Sequence, residues 1–169
     1  RRLRGRRTQC AAYGGIAANG AVRLFRALAG AMPRAKLFGA DGIAESSFTG
    51  RVPARVARRV LITASTLAPS AYPVQGQEVL ARYAQRYGDP NPDPYAAYGY
   101  EAMRLVLDAV AVAGSDRDAV IDALQAMPDR AGAIGTYRFD RFGDTTLRTF
   151  GTYRVRRGAL EWAGTVDAP

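Results

Sequence analysis

A single carboxylate in a glycine-rich turn is the side chain of this sequence best placed to do chemistry. The stretch "AKLFGADGIAES", residues 35–46, runs from an apolar segment into a turn with Asp41 at its centre. Asp in a turn can bond neighbouring backbone amides. It can equally pair with a cationic group on a ligand. Both roles stay open for Asp41 on this stretch alone.

Histidine is absent from the sequence, and Cys10 is the only cysteine. The common zinc sites, Cys-His nucleophiles and Ser-His-Asp triads therefore lack their side chains. An intrachain disulfide is impossible, and the acidic residues show no spacing typical of an EF-hand. We see no paired carboxylates on one element suited to catalysis. The sequence predicts no metal site, no cofactor and no catalytic residue, which disfavours an enzyme on an α/β scaffold.

The net charge of +9 is concentrated at one end, because "RRLRGRR" supplies five Arg in seven residues. A short basic arm can bind nucleic acid or anionic lipid, but it is more often a solvated tail. We predict a disordered tail over residues 1–10 and expect no nucleic-acid partner.

The first third of the sequence alternates between strand and helix signals. Strands are predicted in "TQCAAYGG", "AKLFG" and "RRVLITAS", and a helix in "ANGAVRLFRALAGAM" with Asn19 as its N-cap. This alternation indicates a mainly parallel sheet covered by helices. The segment "STLAPSAYP" then interrupts the rhythm, as a crossover between two packed units does.

Three helices and a strand-rich end follow. One helix is predicted from about Pro73 to Tyr87, and the strongest ends at Gly114. A third begins in "SDRD" with Ser115 as its N-cap. The apolar stripe predicted for the strongest helix contains Tyr98, Ala102, Leu105, Val106 and Ala109.

Two loops share one predicted location, the carboxyl ends of parallel strands. One follows "CAAYGG" and contains Gly15, and the other contains Asp41. In open α/β sheets, ligands bind in the crevice beside those ends. The first loop lacks the full spacing of a phosphate-binding loop. A carboxylate beside glycines that expose the backbone suits a small ligand with an ammonium group, so the residues favour ligand binding over turn formation for Asp41.

The sequence resembles the second half of type I periplasmic binding proteins, the solute-binding proteins of branched-chain amino acid ABC transporters. The resemblance covers about residues 11–162 and rests on six segments in order: "YGGIAANGAVRLFRAL", "AKLFGADGIAES", "VLITASTLAPSAYP", "DPYAAYGYEAMRLVLDAV", "FDRFGD" and "GTYRVRRGALEW". It implies an incomplete α/β fold. Residues 11–66 would belong to the carboxy-terminal lobe, residues 67–145 to the amino-terminal lobe, and residues 146–169 to strands returning to the first.

The resemblance also implies a site and a role. Asp41 matches the acidic residue that pairs with the ligand's α-ammonium group, and Ile16, just after Gly15, stands where an aromatic residue often contacts the ligand. The implied function is capture of a branched-chain or other small amino acid, or an amide, by hinge closure between two lobes. It implies a membrane permease as partner and a periplasmic or extracellular, membrane-associated location.

Part of the family pattern is missing, since the first half of the clamp is not in this sequence. We therefore expect weak or no ligand binding by this chain alone. A cytoplasmic ligand-sensing regulatory domain on the same fold is the alternative, and a fused DNA-binding segment or regulatory partner would distinguish it.

Overall fold

The computed structural model describes residues 8–90, 92–93 and 95–168, which divide into two compact units. Unit 1 runs up to Ser65 and resumes at Thr149, and unit 2 comprises Thr66–Arg148. The first predicted boundary, after residue 66, lies one residue beyond the observed end of unit 1 at Ser65. The second, after residue 145, lies three residues before the observed end of unit 2 at Arg148. Residues 1–7 of the predicted tail lie outside the described residues.

Seven strands and six α-helices make up the described chain. The strands are β1 (Cys10–Tyr13), β2 (Lys36–Gly39), β3 (Val60–Ala64), β4 (Arg130–Gly132), β5 (Gly135–Tyr137), β6 (Thr149–Arg156) and β7 (Ala159–Asp167). The helices are α1 (Ala21–Ala31), α2 (Ser46–Thr49), α3 (Ala54–Ala57), α4 (Val74–Tyr87), α5 (Tyr95–Ala113) and α6 (Arg117–Gln125). The first strand thus begins at Cys10, the last residue of the predicted tail.

Unit 1 is built on a five-stranded sheet in the order β1-β2-β3-β6-β7. The pairs β1-β2 and β2-β3 are parallel, whereas β3-β6 and β6-β7 are antiparallel. The predicted parallel sheet is therefore confirmed for its first three strands, and two antiparallel strands complete it. A two-residue turn at Arg157 and Gly158 joins β6 to β7, and both residues have positive φ angles, 52° and 81°, as tight hairpin turns require.

One face of this sheet carries the core of unit 1. Side chains alternate along β3, so that Val60 and Ile62 are buried while Leu61 between them is half-buried. Phe25 of α1 and Phe48 of α2 pack edge to face over this layer, with ring centroids 5.1 Å apart. The helices that connect the parallel strands therefore shield this face from water, which stabilises the unit.

Unit 2 packs α4, α5 and α6 with the hairpin β4-β5. Its buried core contains Tyr72, Leu80 and Ala97. The buried residues of α5 recur every fourth position: Ala97, Glu101, Leu105 and Ala109. The predicted stripe is therefore right for Leu105 and Ala109, but Ala102 and Val106 are exposed and the buried Glu101 is missed.

Two predicted helix caps are wrong. Helix α1 begins at Ala21 with Gly20 as its N-cap, because Ala17–Asn19 form a separate 3-10 turn. Helix α6 is capped by Asp116 instead of Ser115, and the Asp116 carboxylate accepts a 2.9 Å hydrogen bond from the Ala119 amide.

Candidate functional site

The loops after β1 and β2 touch at the carboxyl ends of these parallel strands. A Cβ atom added to Gly42 would lie 2.8 Å from the carbonyl oxygen of Gly15 and 3.1 Å from Cγ2 of Ile16. Only a glycine allows this approach without displacing the facing loop. The structure thus brings together the three residues predicted for the site, since Asp41 directly precedes Gly42 and Gly15 precedes Ile16.

Tyr13, the last residue of β1, fixes the first of these loops. Its hydroxyl donates a 3.1 Å hydrogen bond to the carbonyl of Ile16, and its own carbonyl accepts one of 3.2 Å from the Ala40 amide. The Tyr13 ring meets Phe25 edge to face, with centroids 6.0 Å apart. The loop geometry is therefore tied both to the neighbouring strand end and to the core.

The side chains at this edge are accessible to a ligand. Asp41 opens a 3-10 turn, Asp41–Ile43, and its exposed carboxylate accepts a 3.0 Å hydrogen bond from the Gly42 amide. The side chain of Ile16 is 52 % exposed. Apart from its two chain neighbours, no described residue has a heavy atom within 4 Å of a Cβ built on Gly14. An accessible carboxylate beside an exposed aliphatic group can bind an ammonium group attached to an apolar body.

The described residues contain no group of three or more His, Cys, Asp or Glu side chains arranged to hold a metal ion. Nor does any helix in the described part of the chain have the length and hydropathy needed to span a membrane.

A second polar cluster, missed in the sequence, surrounds Glu101 in unit 2. Glu101 is only 3 % exposed. Its Oε1 accepts hydrogen bonds from Nε of Arg130 (2.8 Å) and from the Tyr137 hydroxyl (2.9 Å), and its Oε2 accepts one from the Ala133 amide (2.8 Å). Nη1 of Arg130 donates a 2.8 Å hydrogen bond to the carboxylate of Asp108, which lies on α5 as Glu101 does. The cluster ties α5 to the hairpin β4-β5.

The surroundings of Glu101 keep it ionised. Burial raises the pKa of its carboxyl group, but the hydrogen bonds from Ala133, Arg130 and Tyr137 together bring the pKa below the ordinary value. Burial and the neighbouring carboxylate raise the pKa of the Tyr137 hydroxyl. The pKa of Arg130 is likewise raised, chiefly by its hydrogen bond to Glu101. Glu101 is therefore an anion whose two oxygens already have protein partners, which gives it a structural role.

Glu101 and Asp108 on α5 both bond Arg130, a structural arrangement that was not predicted from the sequence. A usable signal was present in the sequence. Glu101 lies four residues from both Ala97 and Leu105, which places it on the buried side of α5. A buried Glu predicts a cationic partner elsewhere, but the sequence does not identify Arg130, 29 residues away, as that partner.

The fold and the two touching loops define an α/β ligand-binding protein with its candidate site at the carboxyl ends of parallel strands. Residues 9–159 match the family of periplasmic binding proteins, and the chain belongs to this family. The resemblance noted in the sequence is therefore confirmed, and the family is one of solute-binding proteins. No curated protein matches the chain.

Solved structures of this family share the fold. A leucine-binding protein, LivK, from Thermotoga maritima superposes with a TM-score of 0.76 at 20% identity, covering 94% of this chain and 45% of that protein. The branched-chain amino acid transporter substrate-binding protein LivJ from Streptococcus pneumoniae, in complex with isoleucine, superposes with a TM-score of 0.76 at 20% identity. The match covers 99% of this chain and 47% of that protein.

A third similar structure contains a different kind of ligand. The solute-binding protein of an ABC transporter from R. palustris, in complex with benzoate, gives a TM-score of 0.66 at 16% identity, covering 98% of this chain and 45% of that one. This chain thus spans less than half the length of each of these proteins.

We predict that Gly15 and Gly14 differ in their tolerance of a side chain. A Cβ at Gly15 would overlap the hydroxyl and ring of Tyr13, so Gly15→Ala should lower the free energy of unfolding by about 1–3 kcal/mol. Gly14→Ala is the matched control and should change it by less than about 0.5 kcal/mol. Urea denaturation followed by Trp162 fluorescence, which reports on unit 1, makes the comparison. Equal effects of the two substitutions would contradict the packing role of Gly15.

We also predict that Glu101→Gln destabilises the chain by about 3–5 kcal/mol, because it removes the buried charge that Arg130 faces. Urea denaturation followed by circular dichroism suits this test, since α4, α5 and α6 all lie in unit 2. Asp129→Asn is the control, because the Asp129–Arg138 ion pair is exposed and should contribute less than about 1 kcal/mol.

The Glu101→Gln variant also tests how the free energy of unfolding depends on pH in the acid range. The folded-state pKa of Glu101 lies below the ordinary Glu value of 4.5, so its contribution to stability is complete above pH 4.5. It is lost as the pH falls from 4.5 through the folded-state pKa, because the unfolded chain then binds the extra proton. The Gln variant should lose less stability over this acid range than the wild type. Parallel losses in both proteins would mean that Glu101 is not held as an anion.

Proposed function

We propose that this protein is part of the solute-binding component of an ABC transporter, capturing a branched-chain or other small amino acid or an amide. The contact between the loops after β1 and β2 carries the proposal. It places Gly42, which directly follows Asp41, against Ile16, and a branched-chain amino acid combines an ammonium group with an aliphatic group.

Asp41 is the residue that would select for the ammonium group. Related folds hold isoleucine in LivJ and benzoate in the R. palustris protein, so the fold by itself does not fix the class of ligand. An exposed carboxylate attracts a cation and repels an anion. Amino acids and neutral amides therefore fit this site better than aromatic or aliphatic acids that lack an amino group.

Ile16 would contribute the apolar contact. The Tyr13 hydroxyl holds the carbonyl of Ile16, so the backbone at this residue is positioned before a ligand arrives. Covering the exposed part of its side chain with an aliphatic ligand would remove apolar surface from water and favour binding. An aromatic side chain, which the resemblance leads us to expect here, would offer a flat surface instead.

The complete transport function needs more than these 169 residues. In our proposal, two lobes close on the ligand by a hinge motion, and the closed protein delivers the ligand to a membrane permease outside the cytoplasm. This chain covers 45% and 47% of the two leucine- and isoleucine-related structures. Binding by the chain alone should therefore be weak, in the millimolar range, because contacts from the rest of the clamp are missing.

We predict that isoleucine at millimolar concentration shifts the backbone amide signals of residues 14–16 and 41–42 in a two-dimensional ¹H-¹⁵N NMR titration. Asp41→Asn should weaken this binding by at least about tenfold, because the amide cannot compensate the ammonium charge. Asp167→Asn, at an exposed carboxylate on β7 of the same unit, is the matched control and should leave the titration unchanged.

A second ligand tests the role of the ammonium group directly. The deaminated analogue 3-methylpentanoate keeps the aliphatic group and the carboxylate of isoleucine, and it should cause no shifts at residues 14–16 and 41–42. Equal shifts with both compounds would exclude recognition of the ammonium group by Asp41. Isoleucine shifts confined to other residues would exclude this pair of loops as the site.

A further inference from the structure

A basic cavity lies at the amino ends of β2 and β3. Its volume is about 370 Å³, and five cationic side chains line it: Arg34, Lys36, Arg58, Arg59 and Arg154. We call these five residues the basic cluster. Asp41 follows the carboxyl end of β2, so the basic cluster and the candidate ligand site occupy opposite edges of the sheet in unit 1.

One member of the basic cluster has a structural role. The guanidinium of Arg59 donates hydrogen bonds to the carbonyls of Ala29 and Met32, at the end of α1, and of Ala35, directly before β2. This arrangement stabilises the helix end, where carbonyls lack partners within the helix. Arg59 is therefore needed for the fold and is already engaged.

The other four cations have no such role. Arg34, Lys36, Arg58 and Arg154 are exposed and form no salt bridge with any described residue. None of the described residues that line their cavity is acidic. Cations this close repel one another, so an anion placed among them would gain from all four at once. Arg guanidinium groups bind phosphate oxygens in pairs of hydrogen bonds.

The charges of the two units differ in sign. In unit 1 the described residues include eleven Lys and Arg against four Asp and Glu, a net charge of +7. In unit 2 the described residues include eight Lys and Arg against eleven Asp and Glu, a net charge of −3. Unit 1 is therefore the unit whose charge an anionic surface attracts. The backbone carbonyl of Gln9 accepts a 2.9 Å hydrogen bond from the amide of Lys36, a member of the basic cluster.

We propose that the basic cluster binds the phosphate headgroups of an anionic membrane surface. The inference rests on the proposed function in one respect, since that function keeps the protein beside a membrane-embedded permease. Single-stranded nucleic acid is a poorer fit, because such sites stack bases on aromatic side chains. Among the described residues that line this cavity, Phe38 is the one aromatic, and it is half-buried in β2. Membrane contact at this edge leaves the loops around Asp41 open to solutes.

Vesicle co-sedimentation of the full chain tests the proposal. The vesicles contain phosphatidylcholine with about one third phosphatidylglycerol, at physiological salt, and pure phosphatidylcholine vesicles serve as the reference. The cluster variant combines Arg34→Gln, Lys36→Gln, Arg58→Gln and Arg154→Gln and keeps Arg59. The charge-matched control combines Arg23→Gln, Arg26→Gln, Arg51→Gln and Arg157→Gln, which removes the same charge from other parts of unit 1.

We expect the cluster variant to lose at least about tenfold in partitioning to the anionic vesicles and the control less than about threefold, since only cations close to the surface contribute fully. Circular dichroism of both variants checks that they fold. Absence of wild-type binding, or equal losses in both variants, would overturn the proposal.

Other partners give their own outcomes. Fluorescence anisotropy with labelled single-stranded DNA and with polyglutamate uses the same proteins. A cluster-specific loss for either polymer, without one for vesicles, would overturn the membrane assignment in favour of that partner. None of these readouts depends on isoleucine, so failure of the vesicle test and failure of the ligand titration are separate results.

Discussion

The close backbone contact between Gly42 and Gly15–Ile16 is the constraint on which the candidate site depends. It holds the loops of two neighbouring strands together mainly through the approach of Gly42 to the carbonyl oxygen of Gly15. Tyr13 reinforces the contact through the Ile16 carbonyl and connects it to Phe25 in the core. A site fixed by backbone groups can keep its geometry while the side chains that face the ligand vary.

Much of unit 1 could be predicted because its signals are local. The apolar runs of β2 and β3 and the helix between β1 and β2 indicate a parallel sheet, and a parallel sheet brings the ends of its strands to one edge. Asp41 and Gly15 could therefore be placed together from their positions in the sequence. The contact of Gly42 with Gly15 could not, because it depends on the distance between two loops that no local pattern encodes.

Unit 2 shows where such reasoning fails. The stripe predicted for α5 followed apolar residues and passed over Glu101, although Glu101 lies on the same side of the helix as Ala97 and Leu105. Its burial depends on Arg130, Tyr137 and the Ala133 amide, which approach only when the hairpin β4-β5 packs on α5. The caps of α1 and α6 were misplaced for a related reason, since neighbouring polar or glycine residues compete and the choice depends on the path of the preceding loop.

Two carboxylates of this chain illustrate how surroundings decide function. Glu101 is enclosed, and each of its oxygens already accepts hydrogen bonds from the protein, so a ligand would have to displace Arg130, Tyr137 or Ala133 to reach it. Asp41 is exposed, beside a loop held by backbone contacts and an aliphatic side chain that water still reaches. Ligand binding requires the exchange of existing contacts for contacts with the ligand, and an exposed side chain makes this exchange with less disturbance of the fold than an enclosed one. An exposed side chain that the fold positions is therefore a better candidate for ligand binding than one that the fold encloses.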